Sequence, residues 1–193
     1  GFYDKDSLLG YKHKPGKFDI KLKKNFSFSS SHDTLGLRIT QYEKDSLMRP
    51  EIWIMGCSFT HGWSVNDQET FPWIIQSKLK KHKIVNWGTS GYGTIHFYLQ
   101  LKKALEKSIQ PEIVVFSGYI DEAMINIRSN NIDYGKLNLY ISHGKNDPVI
   151  PVDWARKSIE ILKNNKINYS FNEFNSAHTI SPENFYDFKN WLE

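Results

Sequence analysis

Apolar residues in this chain gather in five short runs, and every run but the third is followed by a stretch with helical spacing. The runs cover residues 52–55, 84–87, 113–116, 137–142 and 168–174. Short apolar-rich runs bounded by turn signals predict buried strands. Residues 71–82, 95–107, 152–164 and 182–192 predict helices. In the third of these, Ala155, Ile159 and Leu162 fall on one face. The last has Ser181 as its cap, Pro182 in its first position and Glu183 in its first turn. Strands alternating with helices predict a three-layer α/β/α sandwich around a mainly parallel five-stranded sheet.

The first 49 residues follow another rule. Residues 18–22 alternate apolar and polar, and residues 26–29 repeat the alternation. Leu9-Gly10-Tyr11 and Lys14-Pro15-Gly16 are turn signals, and residues 34–38 form a short edge segment. The expectation is a small N-terminal β-hairpin extension laid against the main sheet. Arg38 in that segment is a candidate to reach a substrate carboxylate, with a surface or structural pair as the preferred expectation.

Composition narrows the class. A chain of 193 residues, 39% apolar and 15% aromatic, is long enough for one core and is globular. It is read as a single domain, 1–193, with a β-rich extension over 1–49 and two halves, 50–116 and 117–193. No apolar run approaches a membrane span. The charge of +4 comes from scattered lysines, with no recognition motif for nucleic acid. The lone cysteine, Cys57, rules out an internal disulfide and fits a reducing compartment, so the expected location is the cytoplasm. Gly1-Phe2 is not a natural start, and a removed leader fits the sequence as well. The chain is expected to act as a monomer.

The stretch with most chemical content runs from residue 52 to 62, Ile-Trp-Ile-Met-Gly-Cys-Ser-Phe-Thr-His-Gly. It is a strand, a serine and then a helix, a layout that presents a nucleophile at the carboxyl edge of an open sheet. Taken alone, Gly-x-Ser carries little weight, because a serine after a strand is usually a helix cap. However, Gly56-Cys57-Ser58-Phe59-Thr60-x-Gly62, with Val65, Glu69, Thr70, Phe71 and Pro72 after it, resembles the first block of the SGNH (GDSL-like) hydrolases. Those enzymes usually carry Asp where this chain has Cys57. The segment 89–94, Thr-Ser-Gly-Tyr-Gly-Thr, resembles their second block, which implies that the Gly91 N–H donates to an oxyanion together with that of Ser58. The Asn of their third block is missing after residue 116, and Asn126 is a substitute further along. Ser90 is a poor rival nucleophile, because Gly-x-Ser-x-Gly would need glycine where Tyr92 stands.

From residue 117 the resemblance changes. Ser117-Gly118-Tyr119-Ile120 and His143-Gly144-Lys145-Asn146-Asp147-Pro148-Val149-Ile150-Pro151 are similar to the end of an α/β-hydrolase of the carboxylesterase/phospholipase type. That family's motif implies Asp147 as the acid of a triad. Ser176-Ala177-His178-Thr179-Ile180 matches its histidine loop. In SGNH enzymes the catalytic histidine also precedes the terminal helix, in Asp-x-x-His, and here the acid slot holds Asn175. Both resemblances thus imply His178 as base. They disagree on the acid, and Asp147 is preferred because it can ionise, with Asn175 in a supporting, orienting role.

The sequence therefore reads as a chimera: a serine hydrolase cleaving a small-molecule carboxylic ester or thioester, with Ser58 as nucleophile and no cofactor. The alternative is a folded, non-catalytic chimeric domain with no assembled site. His13, His32, His61, His82 and His96 are expected at the surface or in packing, His143 in a turn, and Asp67 and Glu69 in a solvated loop. No cluster has metal-ligand spacing, so no metal is expected.

Overall fold

The run at 52–55 is the centre of the first sheet, and the rest of that half is arranged by what it pairs with. The computed structural model describes residues 1–23, 26–42, 48–106, 110–117, 138–164 and 166–192. The chain divides into two compact units, Gly1–Gly118 and Tyr119–Glu193.

In the first unit, β1 (Tyr3–Asp6) and β2 (Gly10–His13) form one antiparallel hairpin, and β3 (Gly16–Lys23) and β4 (Phe26–His32) a second. Then come β5 (Glu51–Gly56), α1 (Ser58–His61), a 3₁₀ turn (Asp67–Glu69), α2 (Phe71–Lys78), β6 (Lys83–Asn86), α3 (Thr94–Leu105) and β7 (Ile113–Ser117). The parallel sheet has the order β6-β5-β7. Its central strand is buried as predicted, with Ile52, Ile54 and Met55 fully enclosed. The hairpin at residues 18–29 was expected. The β1–β2 hairpin was not, because its strands carry Asp and Lys beside a turn signal. Asp6 stabilises that turn by accepting the N–H groups of Leu8 and Leu9, each at 3.0 Å.

The predicted helix 71–82 stops at Lys78 for a local reason. Thr70 caps its start by accepting the Trp73 N–H. Past its end, the Gln76 amide donates to the carbonyls of Leu79 and His82, and its oxygen accepts the Ile84 N–H at 2.7 Å. One side chain thus satisfies the turn and hands the chain to β6.

Arg38 ties the extension to the sheet. It bridges β4 at His32 and β6 at Asn86. Its Nε donates to Asp67 Oδ1 at 3.1 Å, and both side chains are fully buried. The other guanidinium nitrogens donate to the carbonyls of His61, Gly62, Ser29 and Val65. Arg38 is therefore the structural pair of the two alternatives, and Asp67 does not lie in a solvated loop. The buried cation needs a carboxylate, so the chain folds Asp67 inward. Arg38→Ala should lower the unfolding free energy by about 3–5 kcal/mol, because it strands the Asp67 carboxylate. Urea denaturation measures this.

The second unit holds β8 (Asn138–Gly144), α4 (Val152–Asn164), β9 (Asn168–Phe174) and α5 (Pro182–Leu192). β8 and β9 pair in parallel, from Asn138 with Asn168 to Gly144 with Phe174. Leu139, Leu162 and Ile167 make its core, with Ile141, Ile159 and Tyr169 packed around them. The apolar face predicted for 152–164 is the buried one. Tyr140 donates its hydroxyl to Asp187 at 2.7 Å and so fastens α5 to β8.

All five expected strands are present. Among the described residues, however, they pair as a three-stranded and a two-stranded parallel sheet and not as one sheet of five. The strand sequences carry no register information between β7 and β8, because a continuous apolar run fits any parallel neighbour.

Candidate active site

Ser58 opens α1 directly after β5, at the carboxyl end of the central strand, and it is partly exposed. Its neighbours are held closely. A Cβ on Gly56 would stand 2.0 Å from Thr60 Oγ1 and 2.5 Å from the Ser117 carbonyl oxygen, so only glycine lets β5 turn into α1 beside β7. Asn86, at the end of β6, donates to the Thr60 carbonyl at 2.9 Å and fixes α1 from the other side. Cys57, where the SGNH pattern has Asp, packs against the cluster of Leu9, Tyr92 and Phe97.

The loop after β6 lies along the same sheet edge, since Thr89 N–H donates to the Gly56 carbonyl at 2.9 Å. Gly91 within it is exposed and has φ +83°, and a Cβ there would meet the Tyr11 hydroxyl at 2.5 Å. Tyr11 donates to the Ser90 carbonyl at 2.7 Å. Ser90 Oγ is shut off from solvent, and Ser90 is not among the residues with positive φ. It therefore has neither the strained turn nor the exposed hydroxyl of a nucleophile elbow.

His61, three residues after Ser58, is fully buried and turned inward. Its Nε2 is 3.1 Å from His32 Nε2, and its ring stacks on His13 at 4.2 Å. His13, His32 and His61 form one buried cluster. Packing was one of the roles expected for them, but their meeting was not foreseen, because they come from β2, β4 and α1. Burial above all holds their basicity down, helped by their mutual proximity and Arg38. His13 falls to about 3, His32 to about 4, and His61 well below the ordinary value. For His32, Asp67 and the Lys14 carbonyl act in the opposite sense but are outweighed.

This sets a sign for acid stability. Below about pH 6.5 the unfolded chain takes up protons that the folded chain refuses, so stability falls as pH falls through the range down to the folded values. At pH 5 His13 and His32 should each cost roughly 2 kcal/mol relative to pH 7.5, and His61 acts in the same direction. Urea midpoints at the two pH values, with a chelator present, should show a steep loss at pH 5.

The second unit contains Asp147 and His178. Asp147 Oδ2 and His178 Nδ1 are 2.7 Å apart. Asp147 Oδ1 accepts the N–H groups of Val149 and Ile150, at 2.8 and 3.0 Å. Burial raises the Asp147 carboxyl, but the hydrogen bonds from Ile150, His178 and Val149 outweigh it and hold it below the usual carboxylate range. A carboxylate fixed in this way selects the Nδ1–H tautomer of His178, which puts the ring's lone pair on Nε2. The Asp147 side chain is 6% exposed and that of His178 31%, so the carboxylate is sheltered while the imidazole is partly exposed. Gly144 lets the two loops meet: a Cβ there would lie 2.4 Å from the carbonyl oxygens of Ser176 and Ala177. The Asn146 N–H donates to the Ser176 carbonyl at 3.0 Å. Asn175 accepts from the Asn146 amide at 2.7 Å, so it steadies the loop, while the carboxylate on His178 is that of Asp147. Asn126 lies outside the described residues.

The phospholipase/carboxylesterase family matches residues 71–193, which include Asp147 and His178. The chain belongs to the phospholipase/carboxylesterase family. Its fold is of the α/β-hydrolase type. The family match begins at residue 71, inside the half that resembled SGNH enzymes, so the change of family read at residue 117 does not coincide with it. Among solved structures, a leucine-to-alanine variant of SOBER1 from Arabidopsis thaliana superposes with a TM-score of 0.52 at 11% identity, over 75% of this chain and 97% of that one. A phospholipase/carboxylesterase from Dyadobacter fermentans gives 0.47 at 16% identity, over 93% and 97%. AlinE4, an SGNH-hydrolase family esterase, gives 0.47 at 14% identity, over 65% and 77%. No curated protein matches the chain in sequence. Among the described residues no helix is long and apolar enough to cross a membrane.

Proposed function

We propose that this protein is a serine hydrolase of small carboxylic esters or thioesters, with Ser58 as nucleophile, His178 as base and Asp147 as the acid. The observation that carries the reading is the 2.7 Å Asp147–His178 contact within the span matched by the phospholipase/carboxylesterase family. In the proposed reaction Ser58 Oγ attacks the ester carbonyl carbon and His178 takes its proton. The N–H groups of Ser58 and Gly91 receive the oxyanion. His178 then protonates the departing alcohol, leaving an acyl group on Ser58. Water, deprotonated by His178, releases the acid and restores the serine.

Ser58 lies outside the family match and the acid–base pair inside it. The reading therefore takes its serine from the SGNH-type block and its acid and base from the carboxylesterase-type span. The test is hydrolysis of a short-chain aryl ester: wild-type protein should release the phenol well above the buffer rate, and a rate equal to buffer would reject the reading.

A second nucleophile has one observation in its favour: Ser90 is inside the family match, between a strand and a helix. Its buried hydroxyl and ordinary backbone weigh against it.

A further inference from the structure

We propose that His13, His32 and His61 form a buried binding site for a first-row transition-metal ion that prefers imidazole, with Zn²⁺ as its test ion. Each ring offers one nitrogen, and the three nitrogens lie within 4.8 Å of one another. Imidazole is the neutral ligand that zinc, copper and nickel share.

Hydrogen bonding prepares the ligands. His32 Nδ1 lies 3.1 Å from the Lys14 carbonyl, which can only accept, so that nitrogen carries the proton. This is the backing that orients metal-bound histidines, and it makes Nε2 an acceptor with its lone pair turned into the cluster. That lone pair faces His61 Nε2 at 3.1 Å, with the Ser30 hydroxyl at 3.2 Å. Two nitrogens on one tetrahedral zinc stand about 3.3 Å apart, so the His32–His61 pair already has nearly that spacing. Metal binding moves the His61 proton to Nδ1, a buried nitrogen with no hydrogen-bond partner among the described residues. His13 Nε2 is also buried without one. The ion on His61 Nε2 does not touch that Nδ1, but the orphaned His13 Nε2 is the kind of buried polar group a ligand satisfies.

The site must contract to close. The 4.8 Å limit exceeds the tetrahedral spacing, so His13 has to rotate off its stack on His61. Phe2, whose ring packs at 4.9 Å on His13 and 5.1 Å on His32, shields the cluster. The Arg38 cation opposes a second cation nearby. It is matched by Asp67, whose charge also acts on His32. The three ligands come from β2, β4 and α1, so an ion would clamp the extension to the helix that carries Ser58.

The experiment uses the full chain after chelator treatment. Titration calorimetry with Zn²⁺ should show one ion per chain and Mg²⁺ none. The melting temperature should rise by several degrees with Zn²⁺ only. His13→Gln and His32→Gln should each weaken Zn²⁺ binding at least tenfold, while His82→Gln, in the separate pair with Glu112, should leave it unchanged. Should the buried variants fail to fold, X-ray absorption on Zn²⁺-loaded wild type still decides, because it reads the ligands directly: three imidazoles support the site. Absence of stoichiometric binding, fewer than three imidazoles, or affinity lost only in His82→Gln overturns it.

Discussion

Ser58→Ala should abolish turnover of a short-chain aryl ester, lowering kcat by about 10⁴-fold or more, while Ser90→Ala should retain activity within a few-fold of wild type. Without the Ser58 hydroxyl the proposed acyl bond cannot form, and a bare oxyanion site supplies only a residual rate. The substitution is small, partly exposed and at the end of a strand, so fold stability should be little changed. Ser90 is the informative control because it lies inside the family match, between a strand and a helix. Loss of activity in Ser90→Ala with retention in Ser58→Ala would reassign the nucleophile to the loop after β6.

Asp147→Asn should lower turnover about 10⁴-fold, because the amide presents a donor to His178 Nδ1 and selects the wrong tautomer. Asp147 also accepts from Val149 and Ile150, and the amide oxygen can keep those bonds, so the loop should hold its shape. Asn175→Ala removes only a hydrogen bond to Asn146 and should cost a few-fold. The reverse ranking would transfer the orienting role to Asn175, and Asn175→Asp should then raise the rate. Steady-state kinetics of the three variants on one ester separates these outcomes. An equal fall in kcat and kcat/KM for Asp147→Asn would mark a contact made only in the transition state.

Local pattern carried much of this structure. The strands β5 to β9 and the four long helices follow from apolar runs and capping residues, with ends shifted by a few residues. The Asp147–His178 contact was also legible, because two loops after adjacent parallel strands end on one edge of a sheet. Chain-distant electrostatics was not legible. Nothing near Asp67 in sequence says that it will neutralise Arg38 inside the fold, and that pairing is what buries both. The histidine cluster was hidden for the same reason: His13, His32 and His61 are far apart in sequence, and their meeting depends on hairpin pairing and the Arg38 bridge. The local signals for β1 and β2 were the turn at Leu9-Gly10-Tyr11 and Asp6, which accepts two backbone N–H groups there. Pairing between sheets was out of reach, because all-apolar strands fit many neighbours.

The claim that most needs testing is that Ser58 is the nucleophile activated by His178. Reaction with a fluorophosphonate, followed by peptide mapping in the mass spectrometer, tests it directly, since only a serine activated by a base is phosphonylated at a useful rate. The account predicts one label per chain, on Ser58, and none in His178→Ala. A label on Ser90, or an unlabelled wild-type protein that is folded and inert toward esters, would contradict it, the latter in favour of a non-catalytic domain.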